Sequence, residues 1–194
     1  MSQVEERPVL DAVDAVELVF HANNCEIPGR TALQKLVYFA SRRVPGSKVD
    51  YAPHYFGPFS AKVAEILAEL CFAGRAYEVR IPWGDHAGFE YHLTGLGKEL
   101  VDIALVEQPA STIETIKDTV KTCKEACDLR ASDLSYAAKV HYAITQYAMR
   151  NLPEPKNVTD VHNIAYGFRW DVTEDNIRAG YALLRKLDLA PIQL

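Results

Sequence analysis

Apolar residues recur at three- and four-residue spacing along most of the chain, which is typical of amphipathic helices. Residues 8 to 23 predict the first helix, with Pro8 in its opening turn. Thr31 and Gln34 predict a capping box that begins a second helix. One face of this second helix is apolar and carries Leu33, Leu36, Val37, Ala40 and Val44.

A short aromatic segment follows the second helix and cannot continue it. Pro53 and Pro58 each remove a backbone donor, and Gly57-Pro58 is a turn signal. The residues between the two prolines include three with aromatic rings, His54, Tyr55 and Phe56. We therefore expect a short strand or loop, followed by a third helix that Ser60 caps.

The spacing of apolar residues changes to two between residues 77 and 93. The first alternating run consists of Tyr77, Val79 and Ile81, and the second of Phe89, Tyr91 and Leu93. The turn-prone segment Trp83-Gly84-Asp85 lies between them, so the two runs predict a β-hairpin. Thr94 then predicts the cap of another helix, which runs to about Glu107.

The order of these elements is helix, helix, short strand, helix, hairpin, helix. It predicts an α+β, mainly α fold with a winged helix-turn-helix domain. Gln108-Pro109-Ala110 interrupts the pattern, so we place the winged-helix domain at residues 1–107 and a helical C-terminal region at residues 111–194. A seam in that region predicts an intramolecular packing face formed by Ile113, Ile116, Val120, Cys123 and Cys127.

Composition is that of an ordinary globular protein, with 48% hydrophobic and 24% charged residues. The formal net charge of −5 argues against a protein that coats nucleic acid or anionic membranes nonspecifically. The first ten residues lack the apolar run of a signal peptide, and no apolar segment approaches the length of a membrane span. We therefore expect a cytoplasmic protein with no membrane partner and with reduced cysteines.

Three stretches of the chain carry a family resemblance: GRT at 29–31, LQKLVYFA at 33–40 and YFGPFS at 55–60. They resemble the YwgA-like family of bacterial and archaeal proteins over about residues 29–75, and more weakly through 107. The same helix and the later turn are similar, more distantly, to the Panacea-type domain of some antitoxins. The YwgA-like resemblance implies no assigned activity, whereas the Panacea resemblance implies protein binding, sometimes beside regulation.

Six residues of the second helix and the aromatic segment form a candidate partner-binding surface. They are Gln34, Lys35, Tyr38, His54, Tyr55 and Phe56. Gln34 and Tyr38 are one turn apart and off the main apolar stripe, so we expect them to face solvent beside the aromatic segment. Aromatic rings with polar tips suit protein interfaces or a small pocket. The alternative is that each tyrosine only caps the core with its hydroxyl hydrogen-bonded.

A nucleic-acid interface is the second candidate, because the third helix of a winged helix enters the major groove. The basic residues that would serve it are Arg42, Arg43, Lys48, Lys62 and Arg80. The predicted third helix also exposes Glu65 and Glu69, which phosphates would repel, so DNA is a disfavoured partner. The alternative for the arginine pair is a solvated helix end, where cations favour the helix dipole.

No metal site or catalytic motif is evident in the sequence. Cys123 and Cys127 are one helical turn apart, but a structural zinc ion needs four ligands, so packed thiols are the preferred interpretation. His21 and Cys25 are a base and a nucleophile by type, yet they form only an i, i+4 pair at a helix end. We therefore expect no metal, no cofactor and no enzymatic activity.

The sequence thus predicts a non-catalytic binding or regulatory protein that acts through protein–protein contact on a winged-helix scaffold. The expected partner is another protein or a second copy of the chain in a homodimer. The alternative is a DNA-binding winged-helix transcriptional regulator, and a lesser alternative is an enzyme of unknown class.

Overall fold

The chain is an α+β protein composed mainly of helices in a computed structural model, which describes residues 9–83 and 86–192. The helices are α1 (Ala12–Ala22), α2 (Arg30–Arg43), α3 (Ala61–Phe72), α4 (Gly95–Glu107), α5 (Ala110–Cys127), α6 (Ala131–Met149), α7 (Val158–Gly167) and α8 (Glu174–Lys186). The strands are β1 (Glu26–Ile27), β2 (Ala52–His54), β3 (Gly57–Phe59), β4 (Ala76–Trp83) and β5 (His86–Leu93). The coarse fold class predicted from the periodicity is confirmed. Across the described ranges, none of the helices combines the length and apolar character needed to cross a lipid bilayer.

Two small antiparallel sheets accompany the helices. β1, β5 and β4 form one sheet in that order, and β2 pairs with β3 in the other. β4 and β5 pair along their whole length, so the predicted hairpin is confirmed. Gly84 and Asp85, which the sequence placed in its turn, lie outside the described residues. β1 holds the start of α2 beside the hairpin, where Arg30 Nε donates to the hydroxyl oxygen of Tyr91 at 2.6 Å.

Side-chain caps account for several helix starts. The side chains of Ser60, Thr94 and Thr173 accept hydrogen bonds from backbone N–H groups in the first turns of α3, α4 and α8, and the first two caps are as predicted. The first helix starts later than the predicted residue 8, because the Asp11 carboxylate caps α1. Pro8 lies outside the described residues.

The predicted capping box at the start of α2 is wrong. α2 begins at Arg30, and no side chain in the described part of the chain caps it. The amide of Gln34 instead donates to the carbonyl oxygen of Ser60 and accepts from its N–H, both at 2.9 Å. A tertiary contact with a buried backbone segment therefore replaces the local contact that the sequence suggested, and Thr31 takes no capping role.

Within the described residues, α2 lies at the centre of one hydrophobic core. It packs against α1, α3, α5 and α6, and the core continues across residues 108–110. α5 contributes its predicted seam to this core, with Ile116 and Cys123 fully buried. The division into domains at residue 107 stays a prediction. Helices on both sides of that residue contribute to the one core.

Candidate partner-binding site

The six predicted partner-binding residues do not share one surface. Gln34, Lys35 and Tyr38 are buried in α2, with 5%, 1% and 1% of their surface exposed. The prediction that they face solvent is wrong, because four helices pack around α2 and every residue from 32 to 41 is buried. The other three residues are exposed at the end of the β2–β3 hairpin.

We call these three exposed residues, His54, Tyr55 and Phe56, the tip. Tyr55 exposes 75% of its surface and Phe56 exposes 53%. Their rings meet edge to face with centroids 4.9 Å apart, an arrangement that aromatic pairs prefer. Two large rings therefore stand together in solvent at one end of a short hairpin.

Buried side chains of α2 hold the hairpin from one side. Lys35 Nζ donates to the carbonyl oxygen of Pro58 at 2.7 Å, and the two bonds between Gln34 and Ser60 fix the start of α3. The bonds to the Pro58 carbonyl and to the Ser60 N–H give partners to two backbone groups of buried residues, as buried backbone requires. They also explain why a helix with an apolar core face carries two adjacent polar residues inside.

Side chains from the C-terminal half hold the tip from the other side. Ser135 Oγ on α6 donates to the carbonyl oxygen of Phe56 at 2.7 Å. Trp170 Nε1 donates to the carbonyl oxygen of His54, also at 2.7 Å. The backbone of the tip is therefore fixed by residues that lie far from it in the sequence.

Gly57 allows two lysines to approach the hairpin closely. It has a φ of +92°, and a Cβ atom added there would lie 3.0 Å from Cγ of Lys139 and 3.6 Å from Cε of Lys35. Lys139 exposes 8% of its surface. In the part of the chain that the structure describes, neither lysine forms an ion pair with a carboxylate. Two largely buried lysine side chains therefore lie near each other, and neither is in ion-pair contact with a described carboxylate.

The environment of the two lysines disfavours their charged forms. Burial, followed by the charge of Lys139, lowers the pKa of Lys35 to about 7. Burial also lowers the pKa of Lys139, and the nearby Asp171 carboxylate opposes that effect. A neutral Lys35 amine can still donate to the carbonyl of Pro58. Because Lys35 is inaccessible to a reactant, its altered pKa acts on stability.

A cleft with a volume of about 390 Å³ opens beside the tip. Its lining includes Tyr55, Phe56, Tyr136, Lys139, Arg169, Trp170 and Asp171. Lys139 Nζ lies 5.9 Å from the centroid of the Tyr136 ring. The cleft thus joins the exposed rings of the tip to a mostly buried ammonium group.

Tyr38 serves the core, as the alternative interpretation of the tyrosines proposed. Its hydroxyl lies 2.7 Å from Nδ1 of His141, and the guanidinium of Arg42 lies 5.2 Å from the centroid of its ring. Burial, with a smaller effect of Arg42, lowers the pKa of His141 to about 4. The imidazole is therefore neutral at pH 7, and Nδ1 is available to accept from the Tyr38 hydroxyl.

Three of the five basic residues predicted for nucleic-acid binding are engaged within the protein. Arg43 pairs with a carboxylate of α5 at 2.8 Å, and Lys62 pairs with one on its own helix at 2.9 Å. Arg42 lies over aromatic rings of the core. Lys48 and Arg80 are exposed. Arg42 and Arg43 end α2, Lys48 follows it, and Lys62 and Arg80 lie on α3 and β4, so the five residues do not line one helix.

The cysteine pair of α5 is part of the core. Burial raises the pKa of both the Cys123 and the Cys127 thiols, so both are protonated at neutral pH. The Cys127 thiol lies 3.2 Å from the carbonyl oxygen of Cys123. Over residues 9–83 and 86–192, no group of three or more His, Cys, Asp or Glu side chains is arranged to hold a metal ion.

Comparison with known proteins finds a relative that matches part of the chain. The chain is 33% identical over 84 residues to the uncharacterized protein YwgA of Bacillus subtilis (strain 168). The resemblance to the YwgA-like family is confirmed. The alignment covers 43% of the chain and 51% of the relative, so the chain spans about half the length of the curated YwgA protein. No family model matches the chain.

Proposed function

We propose that this YwgA-like protein is a non-catalytic binding or regulatory protein that contacts a protein partner, or a second copy of itself, through the tip. The observation that carries the proposal is the combination of exposed rings at Tyr55 and Phe56 with a hydrogen-bonded backbone around them. Both rings face solvent, while the backbone around them accepts hydrogen bonds from Lys35, Ser135 and Trp170.

This combination suits protein recognition for two physical reasons. Covering a half-exposed aromatic ring contributes on the order of 1 to 2 kcal/mol from the area removed from water. A surface that is already ordered also loses less conformational entropy when a partner binds. Aromatic residues in such positions are enriched among those that dominate binding energy. Tyr55 and Phe56 would therefore supply most of the affinity, and the polar groups of the cleft would fix the register.

We also propose a winged helix-turn-helix scaffold for the residues up to 107. Three helices precede the β4–β5 hairpin, and β1 pairs with the second strand of that hairpin, which supports this assignment. On such a scaffold α3 would be the helix that enters a DNA groove. Glu65 and Glu69 are exposed on α3, and Glu65 pairs with Lys62 at 2.9 Å. This charge pattern favours a protein partner over DNA.

The test compares the double variant Tyr55→Ala/Phe56→Ala with the control Tyr166→Ala/Phe72→Ala. The control removes the same ring types from exposed positions outside the tip, because Tyr166 exposes 74% and Phe72 96% of its surface. Analytical ultracentrifugation reports self-association, and cross-linking in cells of the source organism reports a protein partner. Each is measured at low and at high salt.

We expect the tip variant to lose the dimer or one specific cross-linked protein, at both salt concentrations and with an unchanged melting temperature. The control variant should retain it. If the two variants behave alike, the tip does not make the contact and the proposal is wrong.

A DNA-binding regulator remains the second candidate, because Arg80 is exposed on the β4–β5 hairpin and Lys48 is exposed after α2. Affinity that depends on phosphate contacts falls steeply as salt is added. Retention on heparin or duplex DNA that is salt-dependent and lost in Lys48→Ala/Arg80→Ala would favour this function. Elution at low salt from both matrices would exclude it.

A further inference from the structure

We infer that the cleft beside the tip binds an acidic side chain of the partner, with the ammonium group of Lys139 as its counter-ion. The inference rests on the proposed function, because the acidic residue would belong to the protein segment that covers the tip. It comes from one juxtaposition, a mostly buried cation that lines a cavity whose rim carries exposed aromatic rings.

The position of Lys139 in the fold disfavours its charged side chain. Its Cγ lies against Gly57, its ammonium lies 5.9 Å from the ring centroid of Tyr136, and only 8% of its surface is exposed. Burying a cation costs free energy unless an anion or several hydrogen bonds compensate. Among the described residues, no carboxylate forms an ion pair with it. An arriving carboxylate would supply the missing partner.

The charges around Lys139 favour an anion in the cleft. Lys35 lies behind it on α2, and Arg169 lines the same cleft. The competing carboxylate is Asp171, which also lines the cleft and does not reach ion-pair distance from Lys139. Arg169 offsets Asp171, so the cleft keeps an excess of positive charge even when Lys35 is neutral. A second carboxylate is therefore accommodated without a net negative charge.

The size and the rim of the cleft indicate what carries this carboxylate. A volume of about 390 Å³ is enough for one or two side chains, and the cleft is continuous with the rings of Tyr55 and Phe56. A segment that places an acidic residue in the cleft would lay a neighbouring apolar or aromatic residue on these rings. The ligand class is therefore a short acidic peptide segment with an adjacent apolar side chain.

The experiment uses two capped tripeptides that differ only in charge, acetyl-Phe-Glu-Phe-amide and acetyl-Phe-Gln-Phe-amide. Backbone amide shifts of the full chain are followed by NMR as each peptide is added into the millimolar range. We expect the Glu peptide to shift residues of the cleft and the tip with a Kd at least about tenfold lower than the Gln peptide, since a charge-assisted hydrogen bond is lost in the latter.

Lysine variants assign this discrimination to one side chain. Lys139→Met should bind the Glu peptide as weakly as the Gln peptide, and Lys139→Arg should retain the preference for Glu. Lys62→Met, which removes an exposed lysine of α3, should bind both peptides as the unsubstituted protein does. If the methionine variant fails to fold, Lys139→Gln, which keeps a polar side chain and removes the charge, makes the same comparison.

Three results would overturn the inference, and none of them is the result that would overturn the tip. Equal binding of the two peptides, or an unchanged preference in Lys139→Met, would remove Lys139 from recognition. If Tyr55→Ala/Phe56→Ala still weakened the binding of both peptides, the tip would remain the contact surface, but the ligand would not need to be acidic. If neither peptide binds, an acidic segment is rejected as the ligand. The cross-linking comparison then tests the role of the tip independently.

Discussion

Replacing Lys35 with methionine tests whether the protein holds an amine in its core at the expense of stability. The folded state lowers the pKa of Lys35 from 10.5 to about 7 because the side chain is buried. Between these two values the unfolded chain binds a proton that the folded chain does not. The free energy of unfolding therefore rises as the pH is raised from 7 towards 10.5.

The size of this effect follows from the two pKa values. Proton linkage gives a gain of about 1.6 kcal/mol between pH 7 and pH 8.5, where the folded lysine has become almost fully neutral. For a chain of this size the gain corresponds to roughly 3 to 6 °C in the midpoint of thermal unfolding. Lys35→Met carries no titrating group at this position, so it should lack this gain.

The assay is urea unfolding followed by circular dichroism at intervals over this pH range, with a reducing agent present. Staying at or below about pH 8.5 limits the ionisation of exposed thiols, whose usual pKa is similar. Lys62→Met is the control, because it removes an exposed lysine and should keep the slope of the unsubstituted protein. Parallel pH profiles for Lys35→Met and the unsubstituted protein would show that Lys35 keeps its proton in the fold, and would refute the argument.

Two further predictions concern packing and the support of the tip. Gly180→Ala should cost about 1 to 3 kcal/mol, because the new Cβ would lie 2.9 Å from the backbone nitrogen of Ala137 and push α8 away from α6. Gly167→Ala, where nothing lies within 4 Å of the added Cβ, should cause no such loss in the same thermal melts. Trp170→Phe should cost about 1 kcal/mol in urea unfolding, since the carbonyl of His54 loses its donor. Hydrogen exchange of the tip amides should also become faster in Trp170→Phe, and unchanged exchange would mean that this bond does not hold the tip.

The elements that the sequence predicts well are those specified by short-range contacts. Ser60, Thr94 and Thr173 each bond to a backbone group within three residues, so their capping roles are evident from the local sequence. The β4–β5 hairpin is likewise predicted by alternation within two adjacent runs. The exposed part of the candidate site, at Tyr55 and Phe56, follows from two rings between turn-forming residues.

The buried part of the site depends on partners that are distant in the sequence. Gln34 and Lys35 are polar residues off the apolar stripe, and a local pattern places such residues in solvent. Their partners are backbone groups 26 and 23 residues away, which periodicity does not detect. Ser135 and Trp170 act over 79 and 116 residues, a separation that no local pattern reveals.

The side chains that donate hydrogen bonds to the tip and its hairpin lie on both sides of residues 108–110 in the sequence. The shape of the tip therefore depends on both parts of the chain being folded together. A fragment ending before α5 would keep the donor of Lys35 but lose those of Ser135 and Trp170. A partner that recognises the ordered tip would therefore distinguish complete molecules from nascent or proteolysed ones. Recognition and completion of folding would be linked without any separate sensor.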